Sequence, residues 1–332
     1  MTQTLAPPQP APTVAAGRSR RLLRAVAIAS CVPYLALKAA WIAGSHLGIP
    51  PGSTLLEHRG SMAVANGVTV LMDGAVIVLA LVLTRPWGLR VPAWLLGLPA
   101  WVATGLLAPI MAGFPLQLLA TALGGTADTV GADGEPFLDS WVFGVVYTGF
   151  IVQGVTLGAL FALYARDRWG RLWQGRVWEL PVGAIGAAQR AVAAAAAVLA
   201  VPPLTAQVLW ACGATAGLDE TLVADRTSGF HIMAALSAVF LAMAVTGGVL
   251  LAFRRGRTLP VKLPLALAWV GSAAVVCWAG WLSLAPLTGV GDGPTPAMNL
   301  AYAGQMIVGI LVACLGVHFL AERSASRKRR TA

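Results

Sequence analysis

Apolar residues run along this chain in long blocks separated by short polar breaks. Eight blocks, near 23–44, 62–84, 91–112, 141–165, 191–212, 230–253, 264–287 and 298–320, are each about 20 residues or longer. A helix of that length crosses the roughly 30 Å of hydrocarbon in a bilayer. Inside the blocks the polar positions are few and follow no period of two, so strands are not predicted. The pattern predicts an all-α, polytopic membrane protein of eight transmembrane helices.

The polar breaks sort by charge. With both termini in the cytoplasm, 20 of the 23 Lys and Arg residues fall in inner segments, and only Arg59 and Arg226 fall outside, Lys38 lying within the first span. Nine of the 13 acids fall outside. Basic flanks stay cytoplasmic, so an even number of spans with both ends inside is expected, in the plasma (inner) membrane. Residues 1–21, rich in Pro, Ala and Thr, read as a disordered tail. The arginines at 18, 20, 21 and 24 precede a block too long for a signal peptide, so the first block reads as a retained helix.

Composition agrees and narrows the classes further. Charged residues make up 11%, hydrophobic residues 58%, and mean hydropathy is +0.76. An ordinary soluble domain carries about 25% charged residues, so a soluble protein is excluded. The net charge of +10 needs no nucleic acid to explain it. Basic segments, including the tail 321–332, suit the anionic lipid of the inner leaflet.

The chain also repeats itself. Val32, Pro33, Leu35, Trp41, Gly44 and Gly48 lie over Val201, Pro202, Leu204, Trp210, Gly213 and Gly217, with Lys38 opposite Gln207. Ala100-Trp101-Val102 meets Ala268-Trp269-Val270, Arg85 meets Arg254, and Tyr147, Gly149 and Gly154 meet Tyr302, Gly304 and Gly309. Four matches in one order predict two four-helix units, 22–165 and 191–320. An even number of spans per unit makes this a 4+4 parallel repeat about an axis along the membrane normal. Two segments break the symmetry. Phe114 to Leu123, apolar but short, reads as re-entrant, surface-lying or a packed loop. The linker 166–190 carries Trp169, Leu172, Trp173, Val177 and Leu180 at helical spacing, which predicts an amphipathic helix on the inner leaflet, with Gly170 and Gly175 against it.

Ionisable groups within a bilayer are costly and demand a reason. Lys38 lies about 9 Å and Asp73 about 16 Å below the outer boundary at 1.5 Å per residue. Their helices run in opposite directions and side chains lean toward the helix N-terminus, so the two heads point at each other. Tyr34, Lys38 and Trp41 share one helical face and Asn66, Thr69 and Asp73 another. A polar seam between the first two spans is expected, as a ligand or ion-coupling site or as a buried pair that locks two helices. Pro33 and Pro202 free the carbonyls of Ala29 and Val198 and predict kinks beside the seam.

Other chemistry is sparse. The four cysteines lie in four different blocks without paired spacing, which argues against disulfides or zinc. His46 and His231, near the outer ends of their spans, make one pair that haem would need, and a transmembrane electron path wants two. Gln153, Gln207, Gln305 and Asn299 read as hydrogen-bonding glue between helices. Gly154-xxx-Gly158 and Gly309-xxx-Ala313 read as close-packing faces. No protease, hydrolase or phosphate-binding motif occurs, so no catalytic residue, cofactor or metal is expected.

The pattern Pro33-Tyr34-x-x-x-Lys38-x-x-Trp41-x-x-Gly44 resembles multi-pass membrane proteins of actinobacteria whose function is unassigned. The resemblance covers one helix and implies a membrane bundle without implying an activity. Three readings follow from the residues. The first is a small-solute or ion transporter, or a membrane sensor, with its site between helices one and two. The second is a non-catalytic membrane subunit that packs on a partner, and self-association is equally open. The third is a haem-binding oxidoreductase using His46 and His231.

Overall fold

The computed structural model describes residues 17–51, 53, 59–125, 138–177, 186–224, 226–256, 258–284 and 293–331. The expected N-terminal tail lies outside these residues, apart from Gly17 onward. Among the described residues ten α-helices follow one another: α1 (Arg18–Ile42), α2 (Arg59–Thr84), α3 (Ala93–Ala122), α4 (Ser140–Trp169), α5 (Gly186–Leu199), α6 (Val201–Ala211), α7 (Glu220–Ala224), α8 (Ser228–Phe253), α9 (Lys262–Leu284) and α10 (Pro296–Thr331). Among the described residues the only β-pairing is one isolated bridge between Arg176 and Pro260.

Eight stretches are long and apolar enough to cross a membrane, with α5 and α6 forming one of them and the short α7 none. Leu71, Leu123, Leu300 and Val317 are each two-thirds exposed or more, an arrangement that suits lipid and not water. In lipid every backbone N–H and C=O must find an internal partner, which a helix supplies. The chain is an integral, multi-pass membrane protein.

Proline positions explain where helices bend and where they stop. Pro33 sits within the unbroken α1. Pro202 and Pro203 together remove two successive donors, and the chain turns at Ala200 before α6 starts with proline in its first turn. Pro33 and Ala29 are both exposed. The proline face of α1 is therefore turned away from the polar seam. The segment expected to be re-entrant or surface-lying, Phe114 to Leu123, instead continues α3 as far as Ala122. Pro115 costs one bond to the Met111 carbonyl, too little to end a helix whose other residues are good formers.

The linker is a second departure. After α4 a single 3-10 turn spans Gly170–Leu172, and Gly175 takes φ of +94°. The strand-like piece that follows pairs with the α8–α9 turn: Val177 N donates to Leu259 O at 3.0 Å and Val261 N to Gly175 O at 3.1 Å. A continuous amphipathic helix is absent because Gly170 and Gly175 break it and backbone pairing with residues 259–261 replaces its bonds. Val177 is wholly buried in the largest core cluster, while Leu180 lies outside the described residues.

Contacts sort the ends of the helices. At one end Arg20 pairs with Asp167, the Tyr164 hydroxyl donates to Gly88 O at 2.9 Å, Gln189 Nε2 to Glu322 Oε2 at 2.9 Å and Arg323 Nη2 to Gln174 O at 3.0 Å. At the other end Asp139 N donates to Gly48 O at 2.9 Å and Thr295 Oγ1 to Gly217 O at 2.6 Å. The start of α1 and the basic part of α10 therefore share an end.

Small residues bring backbones together. A Cβ on Gly105 of α3 would collide with the Ala273 carbonyl of α9, and Gly247 and Gly271 meet the backbones of Ala268 and Ala244 where α8 packs on α9. Around Gly105, Trp101 Nε1 donates to Ser272 Oγ at 3.1 Å and Trp269 Nε1 to Thr104 Oγ1 at 3.2 Å. The turns after α1 and α6 also match. Trp41 Nε1 donates to Leu47 O at 2.8 Å and Trp210 Nε1 to Ala216 O at 3.0 Å. Gly44 and Gly213 have φ of +89° and +98°, and Gly48 and Gly217 +76° and +79°. Of the expected glycine faces, Gly154 packs against Met111 and Gly309 against Val275 and Val276, but no described residue lies beside Gly158.

Candidate functional site

Three helices build the polar seam. α1 contributes Cys31, Tyr34 and Lys38, and α2 contributes Asn66, Thr69 and Asp73 from positions three, four and seven apart, which lie on one helical face. α4 adds Gln153. Asn66, Asp73 and Gln153 are 4%, 3% and 1% exposed, and Lys38 is half-buried. Polar groups this deeply enclosed must be bonded to one another or carry a function.

Lys38 Nζ donates to Asn66 Oδ1 at 2.7 Å. The ammonium also lies 4.9 Å from the ring centroids of both Tyr34 and Trp41, within cation-π range. One turn of helix separates Lys38 from each ring, so α1 supplies its own aromatic walls. The Trp41 indole N–H is spent on Leu47 O.

Asp73 is held separately. Its Oδ1 accepts from Gln153 Nε2 at 3.2 Å, and the same amide lies 3.3 Å from Cys31 Sγ. Its Oδ2 is buried and has no hydrogen-bond partner among the described residues. The Thr69 hydroxyl donates to Ala65 O at 3.1 Å and Asn66 O at 2.9 Å on its own helix, and it faces the Tyr34 hydroxyl.

The expected direct pair of Lys38 and Asp73 is not formed. The ion pairs among the described residues are Arg20 with Asp167 and Arg166 with Asp167, both at the basic end. The lean of the two side chains brings them onto one seam, but two neutral amides intercept them first. Asn66 lies two turns nearer the start of α2 than Asp73 and catches the ammonium. Gln153 enters from α4, a helix outside the two-helix seam expected from the sequence, and takes the carboxylate.

Aromatic rings close the α4 side. Tyr34 meets Phe150 edge-on at 5.0 Å between centroids, and Tyr147 contacts Phe150, Phe143 and Phe114 at 6.5, 6.1 and 4.8 Å. Phe114 comes from the helical continuation of α3.

Elsewhere the expected groups stay apart. His46 is exposed in the turn after α1, whereas His231 of α8 places its Nδ1 3.1 Å from Trp210 O. Among the described residues no three His, Cys, Asp or Glu side chains are grouped to hold a metal ion. Between α3 and the second half, a cavity of about 10 Å³ is lined by Pro109, Ser237, Trp278 and Gln305, among others. That is room for about one water and for no organic solute. Gln305 Nε2 is buried there without a partner among the described residues, so its expected role as glue is not seen, while Gln153 does join helices.

Gln153 is the side chain of the seam that the sequence understates. The depth arithmetic that singles out Asp73 also applies to it: counted from the span boundary at 141, as Asp73 is from 62, twelve residues is about 18 Å, close to Asp73's about 16 Å. Compared with family models, curated proteins and solved structures, the chain matches none of them.

Proposed function

We propose that this membrane protein binds a small solute or ion in the seam between α1, α2 and α4, and acts as a transporter or as a sensor of that species. One observation carries the reading. A buried carboxyl group and a half-buried ammonium on the same seam are parked on separate neutral amides, and one carboxyl oxygen has no partner among the described residues. A pair kept only to lock two helices gains most when its charges touch, because contact offsets the desolvation of both. Groups held apart are available to something else.

The frame for that activity is a 4+4 parallel repeat with both termini cytoplasmic in the plasma membrane. Its support is the equal Trp-anchored turns after α1 and α6, and the reciprocal Trp101–Ser272 and Trp269–Thr104 bonds around Gly105 and Ala273. A two-fold axis between α3 and α9 exchanges those two bonds. Orientation rests on the basic end facing the cytoplasm and its anionic lipid.

The test is thermal unfolding of the purified protein in detergent against a panel of ions and small solutes. A ligand at about 100 times its dissociation constant stabilises the fold by about 2.7 kcal/mol. A stabilising ligand whose effect disappears in Asp73→Asn and persists in Gln305→Leu supports the seam. A ligand effect indifferent to Asp73→Asn places binding elsewhere.

A further inference from the structure

We propose that the seam's ligand is the proton, taken up at Asp73 Oδ2, and that Lys38 moves between Asn66 and Asp73 as the proton arrives and leaves. This rests on the seam being a binding site and names the species it binds.

The oxygen inventory favours the proton over a metal cation. Hard cations are held by several oxygens at once. Here Gln153 turns its nitrogen toward Asp73, the Thr69 hydroxyl donates to its own helix, and Asn66 Oδ1 is occupied by Lys38. Asp73 Oδ2 is left as the one enclosed carboxylate oxygen without a partner among the described residues. A neutral carboxyl group without an acceptor costs far less in apolar surroundings than a carboxylate without a cation. A proton needs neither a cavity nor a coordination shell.

Other ionisable groups facing the site are few. α1 presents Cys31, Tyr34 and Lys38, and α4 presents the neutral Gln153 with Tyr147 beyond Phe150. The Cys31 thiol is spent on Ala27 O at 3.3 Å. Among the described residues Lys38 is therefore the cation on the seam that can answer a carboxylate. Asn66 and Asp73 are seven residues apart on one face of α2, two turns, and the flexible four-carbon lysine stem can serve either.

In the protonated state the carboxyl is neutral and Lys38 rests on Asn66, as in the structure. On release the O–H bond at Oδ2 breaks, its electron pair stays on the oxygen and the proton passes to water. Lys38, charged throughout, then leaves Asn66 and pairs with the carboxylate. Uptake reverses both movements, so a proton is converted into a shift of contacts between α1 and α2.

Infrared difference spectra of the protein in lipid vesicles, taken from acid to alkaline pH, test this directly. The wild type should show a protonated-carboxyl band that disappears as pH rises, unaffected by exchanging sodium for potassium and missing in Asp73→Asn. In Lys38→Met its midpoint should move by on the order of tenfold in proton concentration. Should Asp73→Asn fail to fold, Asp73→Glu keeps the carboxyl and must displace the band. A band untouched by either Asp73 substitution, a midpoint that follows sodium, or a midpoint unmoved in Lys38→Met overturns the proposal. A titrating Asp73 in a protein that no other species stabilises keeps the proton site and removes the solute reading; a solute-stabilised protein with a silent Asp73 does the reverse.

Discussion

The energetics of the seam turn on which residues touch. A direct buried pair broken on one side costs roughly 3–5 kcal/mol in soluble proteins. Lys38 and Asp73 do not touch, so the strongest coupling belongs to Asp73 and Gln153 instead. Gln153→Leu removes the donor that a buried carboxyl group has among the described residues and should cost about 1–3 kcal/mol. Adding Asp73→Leu should return much of that loss, with a coupling larger than that of Lys38→Met with Asp73→Leu. Thermal unfolding of the two cycles in detergent, at a pH acid enough to keep Asp73 protonated, decides it, and equal couplings there would place the lysine on the neutral carboxyl group as well. The polar residues were legible one at a time: depth and face arithmetic brought Tyr34, Lys38, Asn66, Thr69 and Asp73 to one seam. Their partners were not, because spacing along α1 and α2 carries no information about which side chain α4 sends between them.

At the scale of elements, close approach depends on particular glycines. Gly105 faces the Ala273 carbonyl across the α3–α9 contact, whereas Gly158 of α4 faces open space. Gly105→Val should therefore destabilise the bundle by about 1–3 kcal/mol through overpacking. Gly158→Ala should be neutral or stabilising by up to about 1 kcal/mol, since only helix propensity changes. Loss of stability in Gly158→Ala would reveal a packing partner on that face. The sequence located the spans because twenty apolar residues in a row admit one reading in a bilayer. It misjudged the continuation of α3 through Pro115 and the linker after α4. The first is a helix prolonged past a single lost bond. The second is decided by pairing of Gly175 and Val177 with residues more than eighty positions away, which no local period records.

At the scale of the whole molecule, the contact that bears on the proposed repeat is the one between α3 and α9. If a two-fold axis passes between α3 and α9, Trp101→Phe and Trp269→Phe each remove the same kind of hydrogen bond. Their costs should be alike, about 0.5–1.5 kcal/mol each by unfolding in detergent. A large cost for one and none for the other would argue against equivalent halves. The depth of the seam, and the side from which a proton or solute reaches Lys38 and Asp73, depend on which end of the bundle faces the cytoplasm. Single cysteines in a cysteine-free background, labelled in intact cells with a membrane-impermeant maleimide, measure this. Cysteines at Gly124 and Leu218 should react from outside, and cysteines at Trp173 and Ser324 should react only after the membrane is opened. Labelling of Trp173→Cys or Ser324→Cys in sealed cells, with Gly124→Cys and Leu218→Cys protected, would contradict the account.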